Sequence, residues 1–149
     1  MGRNSGTDSY FLRCRRNDID RYRIAADGDV TNTNNSYGAI SDQKLKENIV
    51  DAASQWDDVK AIKVRTFNFK EETRLSTETQ IGWVAQEVEL VSPGCVKTSA
   101  DIDNDDQPLE TSTKIVKTTV LLIKAYKALQ EAMERIETLE AKVTALTSD

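Results

Sequence analysis

The strongest pattern lies near the end of the chain. From Leu122 onward, apolar residues recur at alternating steps of three and four: Leu122, Ala125, Leu129, Ala132, Ile136, Leu139, Val143 and Leu146. With Leu122 at heptad position a, these residues fill a and d over four heptads without a break. That is the mark of a coiled coil rather than of a generic amphipathic helix. A helix over about 113–147 is predicted. A core helix of a monomer is the competing reading, but 149 residues supply little else to cover so long a stripe. The seam leaves the number of helices open. Ile or Val at a with Leu at d favours dimers, and the two alanines at d blur that rule. Arg135 at g is placed to reach Glu140 at the next e of a parallel neighbour, and Glu131 with Arg135 forms an i,i+4 pair.

Weaker patterns precede it. Residues 1–40 alternate in short apolar pieces broken by "ND" and "ADGD", with Asp27-Gly28 as a hairpin-type turn, so this part reads as strand-rich. Little in it would form a core alone, and it is expected to lean on copies of itself or on sequence upstream. "TNTNNSYG" is a polar connector. Over 41–60 the spacing of Leu45, Ile49, Ala52, Ala53 and Trp56 predicts one helix capped by Ser41 or Asp42. Residues 61–70 alternate with one slip in phase, as a strand with a bulge would. Residues 80–91 begin as strand and pass into a short helix that Ser92-Pro93-Gly94 ends. "KTSADIDNDDQPLE" reads as a solvated acidic loop, and Trp56 and Trp83 as core. The fold class expected is α+β: a short β-rich end segment, a compact mixed region, and a long C-terminal helix in a parallel coiled coil.

Composition narrows the chemistry. Charged residues make up 30% and hydrophobic ones 38% of the chain, which suits a modest core. No apolar run approaches the ~20 residues of a membrane span. The net charge is −5, and six arginines against five aspartates in residues 1–40 leave the acid in the remainder. An acidic body argues against nucleic acid, which needs clustered cations. Five arginines in "RCRRNDIDRYR" are interleaved with Asp18 and Asp20, as on a charge-laced strand surface. There are no histidines, which removes Ser-His-Asp triads, Cys-His dyads and His-based zinc sites. Cys14 and Cys95 lie far apart and suggest a reducing compartment. "DIDNDD" begins like a calcium loop, but Asp106 stands where the turn glycine belongs and Ser112 where the bidentate Glu belongs. No metal and no cofactor is expected.

A nucleophile without histidine needs Lys, Asp, Glu or a terminal amine as base. Ser41 has Lys46 five residues on, but so have Ser92 (Lys97) and Ser112 (Lys117). Spacing alone therefore favours Ser41 as a helix cap over a nucleophile.

Three segments in order add to this: "YGAISDQKLKENI" (Tyr37–Ile49), "QIGWVAQEVELVSPGCV" (Gln80–Val96) and "LLIKAYKALQEAMERIETLEAKVTAL" (Leu121–Leu146). Together they resemble the intramolecular chaperone, auto-processing domain of the S74 peptidase family, found at the C-termini of bacteriophage tail spikes, tail fibres and neck appendages. A related domain occurs in a membrane-bound transcription factor. The resemblance implies a homotrimer that guides folding of the fibre segment upstream in the same chain, without nucleic acid or membrane. It implies assembly in the bacterial host cytoplasm, then cleavage before the signature serine, with the fibre part kept in the virion tail. Carried over, Ser41 matches the nucleophile and Lys46 the lysine of the dyad. Asp42 matches the acid of the Ser-Asp pair and, with Asn48, is a supporting candidate. The scissile bond would be Ile40–Ser41, leaving 1–40 as the fibre end and releasing 41–149. Trimerisation would use the a and d residues named above. An uncleaved, permanent trimerisation cap of the same fold is the alternative.

Overall fold

Short alternating runs separated by turn residues at the start of the chain become a three-stranded antiparallel sheet, β1 (Tyr10–Arg16), β2 (Ile19–Ala25) and β3 (Val30–Asn32), in that order. The structure, a computed structural model, describes residues 9–73, 75–103 and 105–148. Two packing units divide the chain, Met1–Ile49 and Val50–Asp149.

In the first unit, Asn17 and Asp18 take φ of 52° and 57°, the left-handed pair that a two-residue hairpin needs. Gly28 takes φ 98° between β2 and β3, and the Asp27 carboxylate accepts from the Asp29 amide. Cross-strand register places Arg13 opposite Arg23, and Leu12 opposite Ile24, which in turn faces Val30. One face is therefore charged. Asp20 pairs with Arg13 at 2.8 Å and Arg15 at 3.0 Å, and the Arg13 and Arg23 guanidiniums lie over the Tyr10 ring. The Arg13 hydrogen bond, helped by the charges of Arg13, Arg15 and Arg23, holds the Asp20 carboxyl below its ordinary range. The other face carries Leu12 and Val30, both exposed. No described residue of this unit is buried, which agrees with the expectation that it could not form a core by itself.

The second unit holds the core. Helix α1 (Trp56–Ala61) leads to the two-stranded pair β4 (Arg65–Phe67) and β5 (Gln80–Gly82), then α2 (Ala85–Val91), the hairpin β6 (Val96–Ile102) and β7 (Pro108–Val116), and α3 (Thr118–Thr147). Val88 of α2, Cys95 of the following turn and Leu121 of α3 are buried together, with Ile62, Trp83, Val96 and Val116 packed against them. The Lys117 amide donates to the Cys95 carbonyl, so the hairpin passes into α3 directly above this cluster. A bidentate Arg65–Glu87 pair and a Lys114–Glu89 pair tie strands to α2.

Helix α1 has only six residues and would not persist alone. Three contacts with α3 hold it. The Glu131 carboxylate accepts from Ser54 Oγ (2.8 Å) and from the Gln55 amide (3.0 Å), capping the open N-terminal end. Those two donors hold the Glu131 carboxyl below its ordinary range. Lys124 pairs with Asp58 at 2.8 Å, and its hydrogen bond lowers the Asp58 carboxyl likewise. The Arg135 guanidinium stacks 3.8 Å from the centre of the Trp56 ring.

Several expectations are corrected. The helix over 41–60 is replaced by one 3-10 turn, Gln43–Leu45, and the separate α1. Asn48 at φ 52° breaks the run, and Leu45 and Ile49 are exposed, so the apolar stripe has nothing to bury against. The strand over 61–70 shrinks to three residues. The acidic stretch is a hairpin, not a loop: residues 96–102 and 108–116 pair, and Asp103 Oδ1 organises the tip by accepting from the Asp105 and Gln107 amides. Because 113–116 belong to β7, the long helix begins at 118 rather than 113. Trp83 packs against the core cluster as expected, whereas Trp56 is half-buried with Arg135 stacked on it. Among the described residues no helix is long and apolar enough to cross a membrane.

Candidate active site

The connector after β3 is shaped by asparagine. Asn32 Oδ1 accepts from the amides of Asn34 and Ser36, its Nδ2 donates to the Ser36 carbonyl, and Asn35 takes φ 48°. Side chains of this type replace a backbone turn by bonding the amide two residues on. The Tyr37 hydroxyl then donates to the Val30 carbonyl at 3.1 Å, fixing the chain three residues before Ile40. Residues 35–42 have no regular secondary structure and all are exposed. The Ile40–Ser41 peptide therefore lies in an open, irregular segment, with Ile40 88% exposed.

Asp42, not Ser41, caps the turn that follows. Its backbone is extended, and its carboxylate accepts from the Lys44 amide at 3.0 Å. The Leu45 and Lys46 amides bond to the carbonyls of Asp42 and Gln43. The chain leaves the turn extended at Lys46, which swings that side chain back along the turn. Lys46 Nζ donates to Ser41 Oγ at 2.6 Å. The turn thus converts a five-residue separation into direct contact, and the Asp42 cap leaves the serine hydroxyl to the lysine. Asn48 reverses the chain two residues later at a φ that asparagine tolerates better than most residues.

Of the three Ser–Lys pairs at this spacing, the structure gives the other two different partners. Ser92 is buried with its hydroxyl 3.5 Å from Cys95 Sγ, and Lys117 donates to the Gly94 carbonyl. Ser41 and Lys46 are both exposed, beside an open concavity of about 660 Å³ lined by Asp42, Lys44, Lys46 and Ile49. The seam of α3 is a separate feature. Leu122, Leu129, Ile136, Leu139, Val143 and Leu146 are each more than half exposed. Ala125 lines a groove beside α1, and Ala132 is half-buried.

With the geometry in view, comparison with known proteins agrees with the resemblance drawn from the sequence. Residues 41–97 match the peptidase S74 family, described as chaperone of endosialidase. The matched segment opens on Ser41 and contains the Ser41–Lys46 turn, α1, β4, β5 and α2. The solved carboxy-terminal domain of the bacteriophage T5 L-shaped tail fibre with its intramolecular chaperone domain is similar at 13% identity and a TM-score of 0.44, over 83% of this chain and 41% of that one. The chain thus spans less than half the length of that protein. No curated protein matches.

Sequence reasoning missed two parts of the arrangement. The anchoring by Asn32 and Tyr37 was signalled by "NTNNSY", whose Asn-x-Asn spacing is that of a side-chain-built turn. The capping of α1 by Glu131 had no local signal, since its partners lie more than seventy residues away.

Proposed function

We propose that this chain is a C-terminal intramolecular chaperone of a phage tail fibre or spike. It trimerises through α3, guides folding of the segment before it, and releases itself by cutting Ile40–Ser41. The observation that carries the reading is the 2.6 Å contact between Lys46 and Ser41 at the first residue of the matched family segment. The exposed Leu122, Leu129, Ile136, Leu139, Val143 and Leu146 of α3 support the assembly.

The chemistry follows from position. Neutral Lys46 accepts the Ser41 hydroxyl proton as Oγ attacks the Ile40 carbonyl carbon, its own upstream neighbour, so proximity is built into the chain. Collapse of the tetrahedral intermediate breaks the Ile40–Ser41 C–N bond. The departing Ser41 amine takes the proton back from Lys46, and the Ile40 acyl group is left as an ester on Oγ. Water then hydrolyses the ester, giving an Ile40 carboxylate and a free Ser41 hydroxyl. The product is the enzyme itself, so each chain turns over once.

Two requirements are unmet by the turn alone. An ordinary lysine holds its proton to about 10.4, and a lysine acting as base near neutrality needs about 4–5 kcal/mol of differential stabilisation. Desolvation supplies this, yet Lys46 faces solvent in the single chain. The developing oxyanion also needs donors. The amides of Lys44, Leu45 and Lys46 already have acceptors, which leaves those of Asp42 and Gln43. Burial on trimerisation meets the first need and couples cleavage to assembly. A terminal coil also raises the local concentration of three chains and levels their ends, which favours the non-local pairing of a fibre stalk.

Ser41→Ala and Lys46→Ala test the dyad by intact mass after expression. Each is expected to leave one uncut species where the unaltered chain gives 1–40 and 41–149. Cleavage retained in either variant would remove that residue from the chemistry. An unaltered chain that stays whole in a stable trimer would instead support a permanent trimerisation cap.

A further inference from the structure

The surface of α3 is shared unevenly between its own chain and solvent. Heptad positions c, g and d face α1: Lys124 and Glu131 bond to it, Leu121 and Ala128 are buried, and Arg135 stacks on Trp56. Ala125 at d is small and lines the groove beside α1. Over the first two heptads the large exposed apolar side chains along the seam are therefore those at a and e, with only the small Ala125 exposed at d. Tyr126 and Met133 at e are 65% and 54% exposed. Beside this stripe runs a groove of about 480 Å³ lined by Trp56, Val59, Lys60, Ala125, Ala128 and Leu129.

The heptad register indicates what fits there. In a parallel, in-register coil, a residue at g lies beside the neighbour's e residue five positions later. Here those pairs are Leu121 with Tyr126, Ala128 with Met133, and Arg135 with Glu140. Apolar meets apolar twice, then cation meets anion. Stacking on Trp56 uses the flat face of the Arg135 guanidinium, whereas a carboxylate binds at its edge. Ala128 lines the groove, Arg135 stacks on its Trp56 wall, and Leu121 lies in the core one heptad before. A second copy of this chain therefore matches α3 in polarity over three successive heptads, with the groove at the middle one.

We propose that Tyr126 and Met133 of a second, parallel copy seat in the groove between α1 and α3. This deepens the assembly reading above and rests on it. Each copy both offers a groove and fills one, so the contact runs head to tail around the axis and closes after a full turn of copies. The mixed α/β platform then joins the interface, and α1, too short to stand alone, is clamped from both sides.

Disulfide trapping tests the contact. In a Cys14→Ser background, Tyr126→Cys and Lys60→Cys are placed in separately tagged chains, co-expressed and oxidised, with sedimentation run in parallel. The expected result is a cross-linked species carrying both tags, absent when either variant is expressed alone. A trimer without that cross-link would overturn the groove contact and leave the coiled coil standing. A monomer at high concentration would sink the coiled-coil reading and this contact with it.

Discussion

The dyad turn and the platform beneath α3 are held by opposite means. The turn from Ser41 to Lys46 is stabilised by short-range bonds between residues at most five apart, and every one of its residues is exposed. The platform joins α1, α2, the hairpin and α3 around Val88, Cys95 and Leu121, with partners tens of residues apart. The first arrangement brings Lys46 to Ser41 from local sequence alone, the geometry that the proposed cleavage needs. It does not provide the dry surroundings that a lysine base needs. The second can present surfaces to another chain, and its α3 leaves an apolar stripe open. In the proposed cleavage, geometry therefore comes from one region and the means of desolvation from the other.

Two substitutions sharpen this contrast. Leu121→Ala removes a 6%-exposed side chain from the core and is expected to cost the platform about 2–5 kcal/mol. Thermal or denaturant unfolding measures this. A loss under 1 kcal/mol would show that the cluster is not the platform's core. Asp42→Ala removes a cap from an exposed turn, a smaller effect of about 1 kcal/mol. It is expected to slow cleavage roughly fivefold with no change in platform stability, while Asp42→Asn, which keeps a capping oxygen, cleaves near the normal rate. Equal rates in Asp42→Ala and the unaltered chain would show that the turn's geometry does not depend on its cap.

The same division explains what could be read from the sequence. Features set by near neighbours were legible. The Asp27-Gly28 turn, the passage from strand to helix over 80–91 and the heptads of α3 all follow from residues close in the chain. Ser41 and Lys46 were legible as a pair only with the neighbouring motifs, since two other serines share the spacing. Features set by distant contacts were missed. Leu45, Ile49, Ala52 and Ala53 have helical spacing, but Asn48 turns the chain and no surface covers the stripe. The β6–β7 hairpin was hidden by its acidic tip, although Val96, Thr98, Thr113 and Ile115 are residues that strands favour. The alanines at d blurred the seam because part of it faces α1, a contact no heptad rule contains.

The central claim is that the locally built dyad works only when α3 assembles the chain. The direct measurement is the rate of self-cleavage, by intact mass against time, in a variant with Leu129, Ile136 and Leu139 made polar and shown by sedimentation to be monomeric. The account predicts that this monomer keeps Ser41 and Lys46 yet stays uncut while the unaltered chain cleaves. Cleavage of the monomer at the normal rate would contradict it.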